Sequence, residues 1–181
     1  MRGYFGIGVE SISKPMNVGS LFRSAHAFGA AFVFAIQPFV DVKAMQRSDT
    51  SNTWKHVPLF EFPDVATLEL PKDCALIGVE LLDDSIDLPS FTHPERAAYV
   101  LGPERGSLSP ALVARCAHVV KIPMAFCINL GVAGAIVMYD RMLSRRRFAD
   151  RPVMPGGGRT ASTPHRHGPR KLRRKPPGAD A

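Results

Sequence analysis

Short apolar runs alternate along this chain with segments whose apolar residues recur at helical spacing. Five runs have the length and composition of buried strands, at residues 5–9, 31–36, 74–79, 97–101 and 119–122. Apolar positions three and four apart predict helices over residues 18–28 and 129–143, and Gly29 supplies an end for the first. Ser109 followed by Pro110 is typical of the cap and first position of another helix.

Three further segments have weaker patterns. Residues 55–60 fit a strand, but Pro58 lacks a backbone donor, which favours the edge of a sheet. Residues 63–70 fit a short helix with Pro63 near its start, and the polar residues 41–54 fit a loop or a short helix. Strands that alternate with helices are typical of the α/β class, so we expect a mostly parallel sheet.

The composition is that of one globular domain with an appendage. The 181 residues are 45% hydrophobic and 22% charged, which excludes wholesale disorder, a collagen-like chain and a coiled coil. Three cysteines cannot form a closed set of disulfides and lack the spacing of a zinc site, so a reducing compartment fits best. The first ten residues do not resemble a signal peptide, and the longest apolar run, residues 125–139, is shorter than the ~20 residues of a membrane-spanning helix. We expect a soluble cytoplasmic protein.

Positive charge is concentrated at the C-terminal end. The formal net charge is +7, but residues 145–181 carry +9 and residues 1–144 carry −2. The same end is rich in Pro and Gly and too polar to bury an apolar core. The pattern predicts a domain over residues 1–149 and a disordered basic tail over residues 150–181. Such a tail favours RNA as a polyanionic partner; the alternative is that it only aids solubility.

The first of three segments with candidate chemistry spans residues 14–25, between a strand and a helix, where α/β folds place ligands. It contains Asn17, Gly19 and Arg23. On a helical wheel Arg23 lies about 140° from Val18, away from the apolar stripe. Arg23 therefore projects from the first turns, near a loop that could hold phosphate. The alternative is an ordinary exposed arginine.

The second segment, residues 101–110, leaves a buried strand and enters a helix. Gly102 and Gly106 permit either a close backbone approach or a positive φ. Between them lie Glu104 and Arg105, at the carboxyl end of a strand where a crevice is expected. A tight turn with a solvated ion pair is the alternative.

The third segment, residues 122–135, is apolar except for Asn129. The Asn129 side chain must be hydrogen-bonded if it is buried, and otherwise serves as a helix cap. The helix beyond it is apolar on almost every side as far as Asp140, which requires burial within the domain or against a second subunit. Small residues let another backbone approach this helix closely, namely Gly131, Ala133, Gly134 and Ala135.

In this order and at this spacing, the three segments resemble the motifs of the TrmH/SpoU family, RNA ribose 2′-O-methyltransferases of the SPOUT superfamily. The first motif is matched by Asn17, Gly19, Arg23, Phe28 and Gly29. The second, Gly-x-Glu-x-x-Gly, is matched by Gly102, Glu104 and Gly106. The third is matched by Ile122, Pro123, Met124, Asn129 and Ala133. The resemblance covers about residues 4–143 and leaves the tail outside it.

The resemblance implies an α/β fold of the SPOUT type, a trefoil-knotted, mostly parallel sheet flanked by helices. It also implies an obligate homodimer whose subunits share an RNA site. The methyl donor would be S-adenosylmethionine, and no metal would be required. The cofactor pocket would be formed by loops after three strands, with these contacts: Val79, Glu80, Gly102, Gly106, Ile122, Met124, Cys127 and Leu130.

The resemblance also implies four catalytic residues, Arg23, Asn17, Glu104 and Asn129. An arginine stays protonated and is a poor general base, so we expect Arg23 to clamp a phosphate and polarise the 2′-oxygen. The other three are expected to organise the loops. Candidate contacts to the substrate RNA are Arg23, Arg105, Arg145, Arg146 and Arg147.

Cys127 departs from the family pattern, which has serine there. A thiol is a weaker hydrogen-bond donor than a hydroxyl, so a contact to cofactor or RNA is lost or made by the backbone instead. We expect Cys127 to be a small apolar wall of the pocket, with a catalytic thiolate as the other possibility. Cys127 and the basic tail together leave open a non-catalytic RNA-binding protein with a decayed cofactor pocket.

Other classes of site are disfavoured. A nucleotide-dependent α/β enzyme of another kind would need a GxGxxG after a strand or a P-loop lysine, and the chain has neither. His165 and His167 are too few for a metal site. Both tRNA and rRNA are compatible with the sequence as substrates.

Overall fold

The computed structural model describes residues 3–39, 53–103 and 106–145. Its strands are β1 (Phe5–Glu10), β2 (Phe32–Ile36), β3 (Leu59–Phe62), β4 (Ala75–Val79), β5 (Ile86–Asp87), β6 (Ala97–Leu101) and β7 (His118–Lys121). Its helices are α1 (Pro15–Phe28), α2 (Pro110–Val113) and α3 (Leu130–Arg145), with 3-10 helices at Thr53–Lys55 and Leu88–Ser90. The chain divides into two units, residues 1–147 and 148–181, and every described residue belongs to the first. The predicted tail over residues 150–181 lies outside the described residues.

The seven described strands form one sheet in the order β3-β2-β1-β6-β4-β7-β5, and each of their pairings is parallel. β6 lies between β1 and β4, and the register places Val9, Leu101 and Val79 side by side at the carboxyl ends of these strands. The loops that leave the three strands therefore start at the same edge of the sheet. The predicted α/β fold with a mostly parallel sheet is confirmed, and the trefoil knot stays a prediction.

Side chains alternate between the two faces of the sheet, and both faces are covered. Large apolar side chains of β1 point to the face under α1 and α3. On the opposite face β1 has Gly6, Gly8 and Glu10, and the rings of Phe32 and Phe34 from β2 occupy the space above the two glycines. A Cβ at either glycine would overlap these rings, so the two buried phenylalanines require glycine in the neighbouring strand.

Small residues of α3 bring it close to α1. A Cβ on Gly131 would lie 2.9 Å from the Cβ of Ser20, and one on Gly134 would overlap Leu21. The sequence predicted that another backbone approaches these small residues closely, and that backbone is α1 of the same chain. α1 ends as predicted at Gly29, whose φ of 76° lies in the left-handed region. No helix within the described ranges is long and apolar enough to cross a membrane.

Some elements differ from the prediction in their bounds. α1 begins three residues early, so Asn17 lies in its first turn rather than in a loop. The edge strand predicted at residues 55–60 lies at Leu59–Phe62, and the Pro58 carbonyl accepts the N–H of Val33 (2.9 Å) just before the strand begins. The two-residue strand β5 has no periodic pattern that could have predicted it.

The helix predicted at residues 63–70 is wrong, since this segment forms turns. Asp64 Oδ1 accepts a hydrogen bond from the Thr67 N–H (2.8 Å), which lowers the pKa of the Asp64 carboxyl. The guanidinium of Arg115 donates to two backbone carbonyls of the segment, those of Val65 and Leu68. The Val65 carbonyl also accepts the N–H of Leu68 (3.3 Å), which closes one turn before the chain continues to β4.

A buried arginine holds the amino-terminal edge of the sheet. Arg141 on α3 is 5% exposed, and its guanidinium donates to the hydroxyl of Tyr99 on β6 (3.1 Å). It also donates to three backbone carbonyls before β1 and β6, those of Tyr4 (3.1 Å), Pro94 (2.6 Å) and Glu95 (2.8 Å). Both terminal nitrogens of the buried guanidinium are thus hydrogen-bonded twice, which fixes the end of α3 to the two central strands.

The Tyr99 hydroxyl extends this network to His93, which is 1% exposed. Because Arg141 can only donate, the hydroxyl proton goes to His93 Nδ1, 2.5 Å away. His93 Nε2 then carries the ring proton and donates to Asp140 Oδ1 (3.3 Å). Burial lowers the pKa of His93, with Asp140 opposing the shift and Arg141 and Arg145 adding to it. The ring is therefore neutral at neutral pH.

The lowered pKa of His93 makes stability depend on pH. Its contribution is present above the ordinary pKa of 6.5 and is lost as the pH falls through the folded value. We expect the Tm of the wild type to fall between about pH 7.5 and about pH 5, and His93→Gln, which cannot titrate, to lose part of that fall. Thermal unfolding followed by circular dichroism measures both.

The exposed His118 is the matched control, since its ring also lies against Phe91. His118→Gln should keep the pH dependence of the wild type. A His93→Gln profile parallel to that of the wild type would contradict the neutral, buried state of His93.

Candidate active site

A cavity of about 370 Å3 opens at the carboxyl edge of the sheet, where the loops after β4, β6 and β7 meet. Its volume is within the range of small-molecule sites, roughly 300–1,000 Å3. The eight residues predicted to contact a cofactor all line it: Val79, Glu80, Gly102, Gly106, Ile122, Met124, Cys127 and Leu130. Residues chosen from three separate segments of the sequence therefore meet at one place.

The β6 loop, residues 102–109, returns to the sheet between two carboxylates. Glu80 follows β4; one of its oxygens accepts the N–H of Leu108 (2.9 Å), and the other accepts the N–H of Leu81 (2.9 Å). Glu10 ends β1, is 3% exposed, and accepts both the N–H (2.7 Å) and the hydroxyl (2.5 Å) of Ser109. The strands on either side of β6 thus hold the end of its loop. Sequence analysis did not single out Glu10.

The two glycines of the β6 loop are needed for different reasons: one permits a close backbone approach and the other a positive φ. A Cβ on Gly102 would lie 3.0 Å from the backbone nitrogen of Leu108 and 3.1 Å from Glu80 Oε2, so Gly102 allows the ends of the loop to approach each other. Gly106 has a φ of 123°, which residues with a side chain rarely adopt. Ser109 caps α2 as predicted, since its hydroxyl accepts the N–H three residues further on (3.2 Å).

Asn129 joins the beginnings of the two long helices. Its Oδ1 accepts the N–H of Gly131 (2.9 Å), which confirms the interpretation as the cap of α3. Its Nδ2 donates to Asn17 Oδ1 in the first turn of α1 (2.9 Å). Both asparagines line the cavity, so this amide–amide hydrogen bond fixes two helix starts at its rim.

Arg23 lies on the exposed face of α1, away from the apolar stripe, as predicted. It comes six residues after Asn17, about 9 Å along the helix axis, and does not line the cavity of its own chain. Arg145 lies at the far end of α3 and forms an ion pair with Glu95 (3.2 Å). The other predicted polar residues lie outside the described ranges: Glu104, Arg105, Arg146 and Arg147.

Two lysines that the sequence analysis did not single out also line the cavity, Lys14 and Lys121. A single lysine beside a strand or helix end has no pattern that separates it from other surface lysines.

Cys127 is exposed at the cavity, whereas burial raises the pKa of the Cys116 thiol to about 11. Among the described residues, no group of three or more His, Cys, Asp and Glu side chains is placed to hold a metal ion.

The chain is similar to two curated tRNA methyltransferases. It is 32% identical over 139 residues to the tRNA (guanosine(18)-2'-O)-methyltransferase TARBP1 of Mus musculus, covering 71% of this chain and 9% of that protein. It is 24% identical over 143 residues to the tRNA (guanosine(18)-2'-O)-methyltransferase of Escherichia coli K12, covering 76% of this chain and 62% of that protein. The chain thus spans less than two thirds of the length of either relative.

The fold is similar to that of the SpoU methyltransferase AviRb from Streptomyces viridochromogenes, solved in complex with the cofactor AdoMet. The TM-score is 0.69 at 25% identity, covering 80% of this chain and 62% of that one. The model of the SpoU rRNA Methylase family matches residues 5–139, a range that contains the whole cavity. The chain therefore belongs to the SpoU rRNA methylase family.

Proposed function

We propose that this chain transfers a methyl group from S-adenosylmethionine to a ribose 2′-hydroxyl of tRNA or rRNA. The observation that carries the proposal is the meeting of eight motif-derived residues in one cavity at the carboxyl edge of a parallel sheet. The relatives described above support the reaction, since two are named as 2′-O-methyltransferases of tRNA and AviRb was solved with AdoMet.

The residues of the cavity fit S-adenosylmethionine. Ile122, Met124 and Leu130 offer apolar surface for an adenine ring, while the charges of Glu80 and Lys121 match the ammonium and carboxylate of the amino-acid portion. The bound cofactor would supply a methyl group that its sulfonium already activates.

Residues of the chain then orient the acceptor. The guanidinium of Arg23 binds a phosphate of the RNA and polarises the 2′-oxygen. The transfer would form the bond from that oxygen to the methyl carbon as the carbon–sulfur bond breaks, with the electron pair left on sulfur and the hydroxyl proton passing to solvent water. The hydrogen bond between Asn17 and Asn129 holds the helix starts in place during this step (2.9 Å). Glu104 is proposed to organise the β6 loop.

A homodimer formed through α3 is part of the proposal. The face of α3 turned away from the sheet carries Val132, Ile136 and Tyr139, which are 51%, 37% and 48% exposed. These positions follow helical spacing and form one apolar stripe. Stripes of this kind mark protein interfaces. Arg23 does not line the cavity of its own chain, which suits a site that two subunits share.

The basic tail and the compartment complete the proposal. Residues 150–181 are proposed to add contacts to RNA phosphates, given the charge of +9 over residues 145–181. The three cysteines form no disulfide, which fits the reducing cytoplasm where tRNA and rRNA are modified.

Replacing Arg23 by alanine should remove turnover without removing the cofactor. We expect kcat to fall by about 100-fold or more, because a charge that stabilises the reacting oxygen is lost. The S-adenosylmethionine Kd measured by calorimetry should stay within about twofold, since the cofactor cavity lacks this side chain. Arg96→Ala removes another surface arginine, paired with Asp73, and should leave both values unchanged. Loss of cofactor binding in Arg23→Ala would contradict its assigned role.

Weakening the hold on the β6 loop should weaken cofactor binding. Glu10→Gln keeps one acceptor for Ser109 and replaces the other by a donor, so we expect the S-adenosylmethionine Kd to rise by about tenfold. The control is Val33→Ala, which opens a small cavity in the core under α1 and α3, on the face of the sheet opposite Glu10. It should lower the Tm but leave the Kd of the folded protein unchanged. Equal Kd values for all three proteins would contradict the role of Glu10.

Placing a charge on the apolar stripe of α3 should separate the subunits. We expect the wild type to sediment as a dimer of 19.7 kDa chains and Ile136→Glu as a monomer, because a carboxylate cannot be buried unpaired at the interface. Ile86 is equally exposed, at 37%, and Ile86→Glu should remain dimeric. A monomeric wild type in analytical ultracentrifugation would contradict the dimer.

The proposed reaction is tested by incubating the purified chain with methyl-labelled S-adenosylmethionine and unmodified total RNA. Digestion to nucleosides should place the label in a 2′-O-methylated nucleoside. If folded protein binds RNA and transfers no label, the non-catalytic reading that Cys127 suggested takes its place, and Cys127→Ser becomes the variant to assay.

A further inference from the structure

An exposed aromatic and basic surface lies beside Arg23. It consists of His26 on α1 together with Trp54, Lys55 and His56, and we call it the Trp54 surface. The rings of His26 and His56 are stacked, with centroids 4.7 Å apart and planes 15° from parallel. The Lys55 Nζ lies 5.0 Å from the centroid of the Trp54 ring. All four side chains are exposed, and Trp54 is 45% exposed.

This surface is held firmly from both sides. His26 belongs to a fourteen-residue helix packed on the sheet. On the other side Val57 is 4% exposed, and the Pro58 carbonyl accepts the N–H of Val33 on β2 (2.9 Å). The exposed 45% of Trp54 contributes no apolar burial to the fold. Rings and cations presented in this way are what a binding surface requires.

The Trp54 surface lies next to Arg23, the residue proposed to hold the reacting nucleotide. Arg23 precedes His26 by three residues on α1, so their Cβ atoms are neighbours on one face of the helix, about 5–6 Å apart. A nucleotide whose ribose is held at Arg23 therefore has its neighbours within reach of the Trp54 surface.

The chemistry of the four side chains selects an unpaired nucleotide. Aromatic rings bind bases by stacking, and adjacent cations bind the phosphates of the same strand. Sequence-specific RNA contacts are made to bases in loops and single strands, where stacking on aromatic side chains is available. A protein partner would be expected to cover an apolar stripe, as on α3, rather than stacked imidazoles beside an ammonium group.

We propose that the Trp54 surface is a stacking subsite for an unpaired base of the substrate RNA, next to the nucleotide that is methylated. Trp54 stacks on the base, Lys55 binds an adjacent phosphate, and the pair of His26 and His56 extends the flat surface. The inference rests on the proposed function, since it names the part of the RNA that this site reads.

Trp54 is the one tryptophan of the chain, so its fluorescence reports on the subsite directly. Titration of the wild type with unmodified tRNA and rRNA transcripts should quench the emission, with the same midpoint as binding measured by filter retention. Trp54→Ala should raise the KM for RNA by about 5- to 100-fold and leave kcat at saturating RNA and the S-adenosylmethionine Kd within about twofold. Trp54→Phe, which keeps an aromatic ring, should recover most of the affinity. Phe60→Ala removes a ring of similar exposure, 50%, on the edge strand β3 and should change nothing.

The outcomes separate this inference from the proposed function. Methyl transfer with an unchanged KM in Trp54→Ala, or RNA binding without quenching, overturns the subsite alone. Quenching in the wild type and weaker RNA binding by Trp54→Ala in filter retention, without methyl transfer by the wild type, keep the subsite and overturn the proposed reaction. Emission that changes with protein concentration in the absence of RNA would place Trp54 against a second copy of the chain and overturn the subsite. Absence of RNA binding overturns both.

Discussion

Two carboxylates hold the end of the β6 loop, which lines one side of the cavity. Glu10 and Glu80 end the strands on either side of β6, and they accept hydrogen bonds from Ser109 and Leu108 at the point where the loop returns. A carboxylate bound to backbone N–H groups forms stronger hydrogen bonds than a neutral acceptor does. Besides these hydrogen bonds, the buried side chain of Leu108 packs into the core at the same end of the loop.

The cavity and the buried hydrogen bonds of Arg141 lie at opposite edges of the sheet. At the amino edge, the buried guanidinium of Arg141 donates hydrogen bonds to the chain segments that precede β1 and β6. At the carboxyl edge, Asn129 begins the same helix and connects it to α1. α3 therefore connects the hydrogen bonds around Arg141 at one edge of the sheet to the rim of the cavity at the other. Its outer stripe of Val132, Ile136 and Tyr139 remains available for a second subunit.

Sequence patterns predicted those parts of the structure that depend on local chemistry. Gly29 and Ser109 end or begin helices through their own backbone or side chain, and the apolar runs of four central strands match β1, β2, β4 and β6 closely. The resemblance to three motifs then located the cavity, because the motif residues follow strands whose carboxyl ends meet.

The features that were missed depend on partners far away in the sequence. Glu10 binds Ser109 across 99 residues, and nothing near either residue indicates this contact. The segment predicted as a helix at residues 63–70 forms turns instead, and two of its carbonyls accept hydrogen bonds from Arg115, 47 and 50 residues away in the sequence. Trp54 had no periodic neighbours, so its place beside α1 emerged only from the fold.

The most direct test of this account is calorimetric titration of the full chain with S-adenosylmethionine, comparing the wild type with Gly102→Val. We predict one molecule bound per chain with a Kd in the micromolar range. Gly102→Val should keep its fold and lose this binding, since even a Cβ at Gly102 would press on Leu108 and Glu80 where the loop closes. No binding by the wild type, or equal binding by the folded variant, would contradict the assignment of the cavity.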